Sequence, residues 1–214
     1  MTPLFFPIIC CTTILNLKPA DLAYTASAID NDGTIYTRLT PKDESIGVVL
    51  SFGVQVSQNT KFLDYLERFK TDTGFGKAEP RRGRKSKMSD WVVIKHGEIP
   101  VLLKALLPYF RIKKEQAELE IEIVEKYSKL PRSSKELQAR KSFESKCSRK
   151  FPRAKANTKK NAIKRAEGVY ELLPLIDRLA KLNGGSNREV TGESAFKAIR
   201  KRGFLLDKED YKSP

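Results

Sequence analysis

Asp30-Asn31-Asp32-Gly33 sets two carboxylates one residue apart and follows them with a glycine. A carboxylate is a hard oxygen ligand suited to Mg²⁺. The chain carries a formal net charge of +15, so an acid in this setting suggests a metal held against a polyanion, with Asp32 as the ligand. The same four residues resemble part of a calcium EF-hand loop. With Gly33 at that loop's sixth position, Ala28 and Leu39 would fall where ligands are required, so that assignment fails. The plain alternative is a helix end followed by an Asx turn, with no chemistry. Ala26, Ser27 and Ala28 before the acids are small, which lets a helix pack backbone-close against another. The acids are therefore expected at the end of a close helix–helix seam. Gly33 is expected at positive φ, turning the chain out of the helix.

Positioning these acids needs a helix before them and strands after them. The pattern predicts a helix over about 20–29. A strand over 34–40 then puts Tyr36, Arg38 and Thr40 on one face and Ile35 and Leu39 on the other. In the next strand Val48, Leu50, Phe52, Val54 and Val56 share a face, and Val49, Ser51, Gly53, Gln55 and Ser57 share the opposite one. Phe62, Leu63, Leu66 and Phe69 follow helical spacing, with Asn59 as N-cap and Gly74 as stop. Residues 77–95 read as a hairpin whose tip, 81–87, is basic. Helices are expected over 99–107 and 113–127. The order αββαββα builds a mixed α/β (α+β) domain with an antiparallel sheet covered on one side by helices. Such a sheet leaves its other face to water or to a ligand; here that face is polar and basic, and a two-stranded ribbon fits a DNA major groove. A helical C-terminal tail follows.

Residues Tyr24 to Gly33 resemble the signature of the LAGLIDADG homing endonucleases, in the single-motif, homodimeric branch encoded in organellar group I introns. The likeness continues in order through Val54 to Gln58, Ser89-Asp90-Trp91, Leu107 to Ala117, Leu179 to Asn183 and Thr191 to Ser194. This resemblance implies an Mg²⁺-dependent (or Mn²⁺-dependent) endonuclease that cuts both strands of a long, nearly palindromic double-stranded DNA site. It implies Asp32 and the backbone carbonyl of Asn31 at the metal, Gln58 ordering water beside the nucleophile, Lys113 beside the scissile phosphate, and Lys61 as a further nearby cation. It also implies base contacts from Tyr36, Arg38, Thr40, Lys42, Val49, Ser51, Gln55, Asp90 and Val92. Arg81, Arg82, Arg84, Lys85, Lys87 and Arg111 would hold phosphates or outer bases. Thr25, Ala26 and Ile29 are expected at the interface with a second copy. Two departures stand out: Ser27 replaces the usual seam glycine, and Asn31 replaces a glycine or alanine. Only one signature is present, because Arg178 and Leu179 stand where a second copy would need an acid and a glycine. A homodimer is therefore required to supply two carboxylates.

Composition agrees. The chain has 214 residues, with 41 basic against 26 acidic, which favours nucleic acid or an acidic surface as partner. No apolar run is long enough to span a bilayer. Cys10, Cys11 and Cys147 are the three cysteines, too few and too oddly placed for a disulfide scaffold. His96 is the one histidine, leaving little material for His-based nuclease or zinc chemistry. Leu4 to Leu15 is mostly apolar and no basic residue precedes Lys18, so the basic start of a signal and the arginines of a transit peptide are missing; residues 1–19 read as a poorly ordered extension. The domain is expected over 20–200, with a Lys/Arg-rich insertion at 129–165 that is either a mobile basic arm gripping flanking phosphates or a disordered surface loop, and a tail over 201–214. The expected setting is soluble, in an organelle, the chloroplast before the mitochondrion. Two other functions stay open: a maturase that binds its own intron RNA, and a DNA-binding relative that has lost cleavage.

Overall fold

The computed structural model describes residues 18–42, 46–81, 87–131, 153–184, 191–205, 208 and 211. The elements run α1 (Pro19–Asp32), β1 (Gly33–Pro41), β2 (Val48–Asn59), a 3-10 turn (Thr60–Phe62), α2 (Leu63–Thr73), β3 (Lys77–Pro80) and β4 (Met88–Val93). They continue through α3 (Ile99–Leu106), a second 3-10 turn (Leu107–Tyr109), α4 (Lys114–Ser128), α5 (Arg153–Leu182) and α6 (Gly192–Lys201). The expected αββαββα order is therefore present, with further helices after it. The four strands form an antiparallel sheet in the order β1-β2-β4-β3. The chain divides into two compact units, Met1–Tyr36 with Phe52–Ile121, and Thr37–Ser51 with Glu122–Pro214.

In the first unit α1 begins at Pro19, whose fixed φ suits the first helical turn. The helix runs to Asp32, so both acids lie in its last turn rather than beyond it. Gly33 is extended, with φ −92° and ψ 171°, which corrects the expected left-handed turn. Its glycine is needed for space instead: a Cβ there would lie 2.6 Å from Ile29 Cα and 3.1 Å from Gln55 O. Helix α1 packs against α2 and α3. Asn59 accepts the Lys61 N–H at 3.1 Å and caps the 3-10 turn that leads into α2, whose own N-cap is Phe62; Gly74 at φ 72° ends α2, as the sequence reading expects. Phe69 meets Trp91 at 5.4 Å between centroids, and Trp91 Nε1 donates to Phe75 O at 3.0 Å. With Leu66, Val54, Val56 and Leu103 they make the core of this unit.

Strand alternation separates two faces as expected. Ile35, Leu39, Val48, Leu50, Phe52, Val54 and Val56 are buried; Tyr36, Arg38, Thr40, Val49, Ser51 and Gln55 are wholly or partly exposed. Gly53 is the exception on the second face. It is buried because the Tyr36 ring lies over it, 2.5 Å from where a Cβ would stand.

In the second unit Val169, Leu172, Leu173, Ile176 and Leu179 of α5 are buried, as are Ala195, Phe196 and Ile199 of α6. Asp177 joins the chain beyond, accepting the Gly192 N–H and the Tyr211 hydroxyl, each at 2.9 Å. Most of the stretch read as an insertion, 132–152, lies outside the described residues, as do 1–17. From Arg153 that stretch is already part of α5. Arg165, assigned to phosphate contact within it, is buried instead: it donates to Pro131 O at 3.0 Å and to the Tyr127 hydroxyl.

Thr25, Ala26 and Ile29 were expected to face a second copy. All three are 0% exposed within the single chain, because they form the side of α1 that covers its own core. Thr25 tolerates that burial by donating its hydroxyl to Asp21 O at 2.9 Å. The side of α1 left to solvent carries Tyr24, Ser27 and Asn31, at the i, i+3, i+7 spacing of one helix face. Ala26→Trp is therefore expected to destabilise the chain itself by about 1–3 kcal/mol or more through overpacking. A urea titration followed by circular dichroism checks this, and an unchanged midpoint would contradict it.

Candidate active site and nucleic-acid interface

The end of α1 holds two acids in different situations. Asp30 is buried and its carboxylate is saturated by backbone donors. Asp30 Oδ2 accepts the N–H groups of Arg111 at 2.8 Å and Ile112 at 3.3 Å, and Oδ1 accepts that of Lys113 at 2.9 Å. Those amides precede α4, at the positive end of that helix. Asp30 is therefore a structural clamp. The sequence reading counted it as one of a pair of acids without giving it a separate task. Asp32 is exposed, and its Oδ2 accepts from Gln58 Nε2 at 2.8 Å.

Lys113 reaches the same place from the other side. Its Nζ donates to Ile29 O at 2.7 Å and Asp30 O at 2.6 Å, carbonyls of the last turn of α1, of which Ile29 O also accepts the Gly33 N–H. Burial pushes its pKa below the usual lysine range, and Asp30 and Asp32 pull it only partly back. Asp32, Gln58 and Lys113 come from α1, β2 and the segment before α4, and they are brought together as the sequence suggested. Lys61 stands beside Phe62, its Nζ 4.8 Å from the ring centroid. Asn31 turns back along its own helix, donating from Nδ2 to Ser27 O at 2.8 Å. The two departures from the signature thus meet each other on the free face of α1.

The open face of the sheet contains a second network. Arg81 donates from Nε to Asp90 Oδ2 at 2.6 Å and from Nη2 to Asp90 Oδ1 and to Ser57 Oγ, both at 2.8 Å. Ser57 donates to Asp90 Oδ1 at 2.6 Å, and Gln55 Nε2 donates to Ser57 Oγ at 3.2 Å. Burial alone would raise the Asp90 pKa. Hydrogen bonds from Arg81, Ser57 and Gln55 outweigh it and hold the carboxyl below its usual range. The register places Lys77 opposite Val92 and Glu79 opposite Asp90, so both stand on the open face too. Sequence reading omitted them; counting alternation backwards from the hairpin tip would have found them. Arg111 is exposed. Lys42 is exposed, immediately after β1. Arg82, Arg84 and Lys85 lie outside the described residues.

The two aspartates should separate in stability. Asp30→Ala leaves backbone N–H groups without their acceptor and is expected to cost about 1–3 kcal/mol. Asp32→Ala removes an exposed side chain and is expected to stay within about 0.5 kcal/mol of the parent. Chemical denaturation of both variants decides the matter: equal losses would contradict the division of roles.

No family model matches the chain. It is 24% identical over 174 residues to the DNA endonuclease I-CreI of Chlamydomonas reinhardtii, covering 81% of this chain and 85% of that protein. Among solved structures it is similar to the homing endonuclease I-CvuI in complex with the I-CreI target, with a TM-score of 0.66 and 20% identity. That match covers 87% of this chain and 97% of the other. It is also similar to the archaeal intron-encoded homing endonuclease I-Vdi141I complexed with DNA, with a TM-score of 0.61 and 18% identity over 85% of this chain and 96% of the other. In sequence this chain is similar to the DNA endonuclease I-CreI, and it shares its fold with the homing endonucleases I-CvuI and I-Vdi141I.

Proposed function

We propose that the chain is a site-specific DNA endonuclease, working as a homodimer with Mg²⁺ (Mn²⁺ substituting) to start intron homing in the organelle that encodes it, a chloroplast before a mitochondrion. No helix among the described residues is long and apolar enough to cross a membrane. The observation that carries the reading is Asp32. It is an exposed carboxylate at a helix end whose last turn holds no cation, bonded to Gln58.

The donors fit a small divalent cation. Among the described residues no group of three or more His, Cys, Asp and Glu could enclose one. Mg²⁺ does not need such a cage, since it commonly takes one or two carboxylates and completes its shell with water and substrate phosphate. Asp32 and the Asn31 carbonyl would hold it. When bound, the ion would activate water and absorb charge on the phosphoryl oxygens.

The chain's own groups do the rest. Gln58 fixes the Asp32 carboxylate and can orient a water near it. Lys113 places a cation beside the same acid, where charge on a phosphorane would develop. Lys61 adds a second cation nearby. On the open sheet face Arg38 can bond a guanine bidentately, Gln55 can bond an adenine, and Val49 and Val92 can touch a thymine methyl. Tyr36, Thr40 and Ser51 share that face. Asp90 has both oxygens engaged by Arg81, so it acts on DNA through the orientation of Arg81.

Each chain offers one exposed acid at the end of α1, and cutting two strands calls for two. The free face of α1, Tyr24, Ser27 and Asn31, suits the seam with the second copy. Folding of Asn31 onto Ser27 reduces the bulk it presents there, which supports retained cleavage.

The direct test is incubation with Mg²⁺ and a plasmid carrying the uninterrupted insertion junction of the chain's own intron; the expected outcome is a linear product. Asp32→Asn is expected to lower cleavage by several orders of magnitude with DNA affinity nearly retained. Unchanged cleavage would remove Asp32 from the mechanism. Sedimentation is expected to give a dimer that Ser27→Arg converts to a monomer without loss of thermal stability. A monomeric parent that still cut both strands would refute the assembly. Arg38→Ala is expected to cost about 1–3 kcal/mol on the right site and relax preference at one base pair per half-site. A binding selection against a randomised library reads this out, and a uniform loss on all sequences would show that Arg38 does not read bases.

A further inference from the structure

Ser57 of β2 makes none of the contacts proposed to DNA or metal, yet its hydroxyl is the junction of the hydrogen bonds on the open face of the sheet. It donates to Asp90 Oδ1 at 2.6 Å, and accepts from Arg81 Nη2 at 2.8 Å and from Gln55 Nε2 at 3.2 Å. These three bonds use the whole capacity of a hydroxyl, which is one proton and two lone pairs. Ser57 is half-buried. The register sets it directly opposite Asp90, with Gln55 opposite Val92. The junction therefore joins β2, β4 and the residue that follows β3.

Donor and acceptor capacity fixes the direction of every bond in this group. A guanidinium only donates, and an ionised carboxylate only accepts. Asp90, held below the usual carboxylate range despite its burial, is ionised at neutral pH. Arg81 gives it two hydrogens, from Nε at 2.6 Å and from Nη2 at 2.8 Å, and gives Ser57 a third. The Ser57 proton must then lie on the 2.6 Å line to Asp90, because two acceptor oxygens that close would otherwise repel. Nothing is left for Ser57 to donate to Gln55. The Gln55 amide is thus forced to turn its nitrogen toward Ser57. A flipped amide would set its oxygen against an oxygen with no proton to share.

Gln55 Nε2 carries two hydrogens, and one goes to Ser57. The outer edge of the amide keeps an N–H and the carbonyl oxygen, side by side and in one order. That pair bonds adenine at N7 and N6. A freely turning amide offers the same two groups in either order, and so matches more than one arrangement of donor and acceptor on a base edge.

We propose that Ser57 is a positioning residue for base recognition: through its hydroxyl the Arg81–Asp90 pair fixes the sense of the Gln55 amide, and with it the base that Gln55 prefers. The proposal rests on the DNA-binding reading above and gives a role in specificity to a side chain that touches no base.

The test is a binding selection from a library of randomised duplexes. It is run on the parent, Gln55→Ala, Ser57→Ala, Ser57→Thr and Gln55→Ala/Ser57→Ala. Gln55→Ala should erase preference at one base pair in each half-site, which identifies the pair that Gln55 reads. Ser57→Ala, with Gln55 intact, should weaken preference at that same base pair by about fivefold or more. Preference elsewhere should hold, because both bonds between Arg81 and Asp90 remain. Ser57→Thr keeps the hydroxyl and should keep the parent's profile. In the Gln55→Ala background, Ser57→Ala should add nothing at that base pair. A Ser57→Ala profile equal to the parent's would overturn the proposal. So would a loss spread evenly over all base pairs, a further loss in the double variant, or a Ser57→Thr variant that fails as Ser57→Ala does. Circular dichroism should show the parent's fold in every variant, and a Ser57→Ala chain that did not fold would make the hydroxyl structural and overturn its positioning role. A Gln55→Ala profile equal to the parent's would overturn the proposal while leaving the endonuclease intact. Absence of selective duplex binding by the parent would remove the DNA-binding reading, and the role of Ser57 with it.

Discussion

An α-helix ends in carbonyl groups without partners and in the negative pole of its dipole, yet α1 ends in two aspartates with no basic residue in its last turn. This arrangement opposes the usual placement of charge along a helix, and much of the first unit answers it. The amides of Arg111, Ile112 and Lys113 donate hydrogen bonds to the Asp30 carboxylate from outside the helix, and the Lys113 ammonium occupies two of its end carbonyls. The segment before α4 is thereby tied to the end of α1. Asp32 is left as the exposed part of the problem, steadied by Gln58 but not neutralised by a directly bonded cation.

The same economy operates on the open face of the sheet. A long flexible arginine on a strand edge loses conformational freedom when it binds. Arg81 has surrendered part of that freedom already, because Asp90 and Ser57 hold its guanidinium in a fixed fork. Ser57 and Gln55 extend the ordering to β2. The Tyr36 ring lies directly over Gly53, which has no side chain to displace it. The face therefore presents polar groups in set positions.

Burial assigns the two sides of α1 to different tasks. The side with Thr25, Ala26 and Ile29 is committed to the chain's own core; Ser27 and Asn31 face solvent, and the half-exposed Tyr24 ring packs against Tyr65, Arg68 and Phe69 of α2. Small residues in a helix say that something packs closely against it. Their presence does not say whether the neighbour is the same chain or another, and here α2 and α3 are the neighbours.

Much was legible in the residues themselves. Alternation in β1 and β2 separated buried from open side chains because a strand has a period of two that no later packing can alter. Asn59 marked the 3-10 turn that leads into α2, and Gly74 the end of α2, because capping and left-handed backbone are local preferences. The ordered motifs pointed to Asp32, Gln58 and Lys113 as one site. Other features depended on contacts between distant segments. The separate work of Asp30 rests on amides some eighty positions away in the chain, at Arg111 to Lys113. The need for glycine at position 33 comes from proximity to Ile29 and Gln55, and not from its own φ. Arg165 reads as a surface cation until α5 is seen to bury it against Tyr127. The sequence determined the elements, their faces and the chemistry of the acids, because these follow from local stereochemistry and residue type. Only the tertiary structure decided which acid is structural, which face of α1 is free and which side chains meet at Ser57, because burial and proximity belong to the packed chain as a whole.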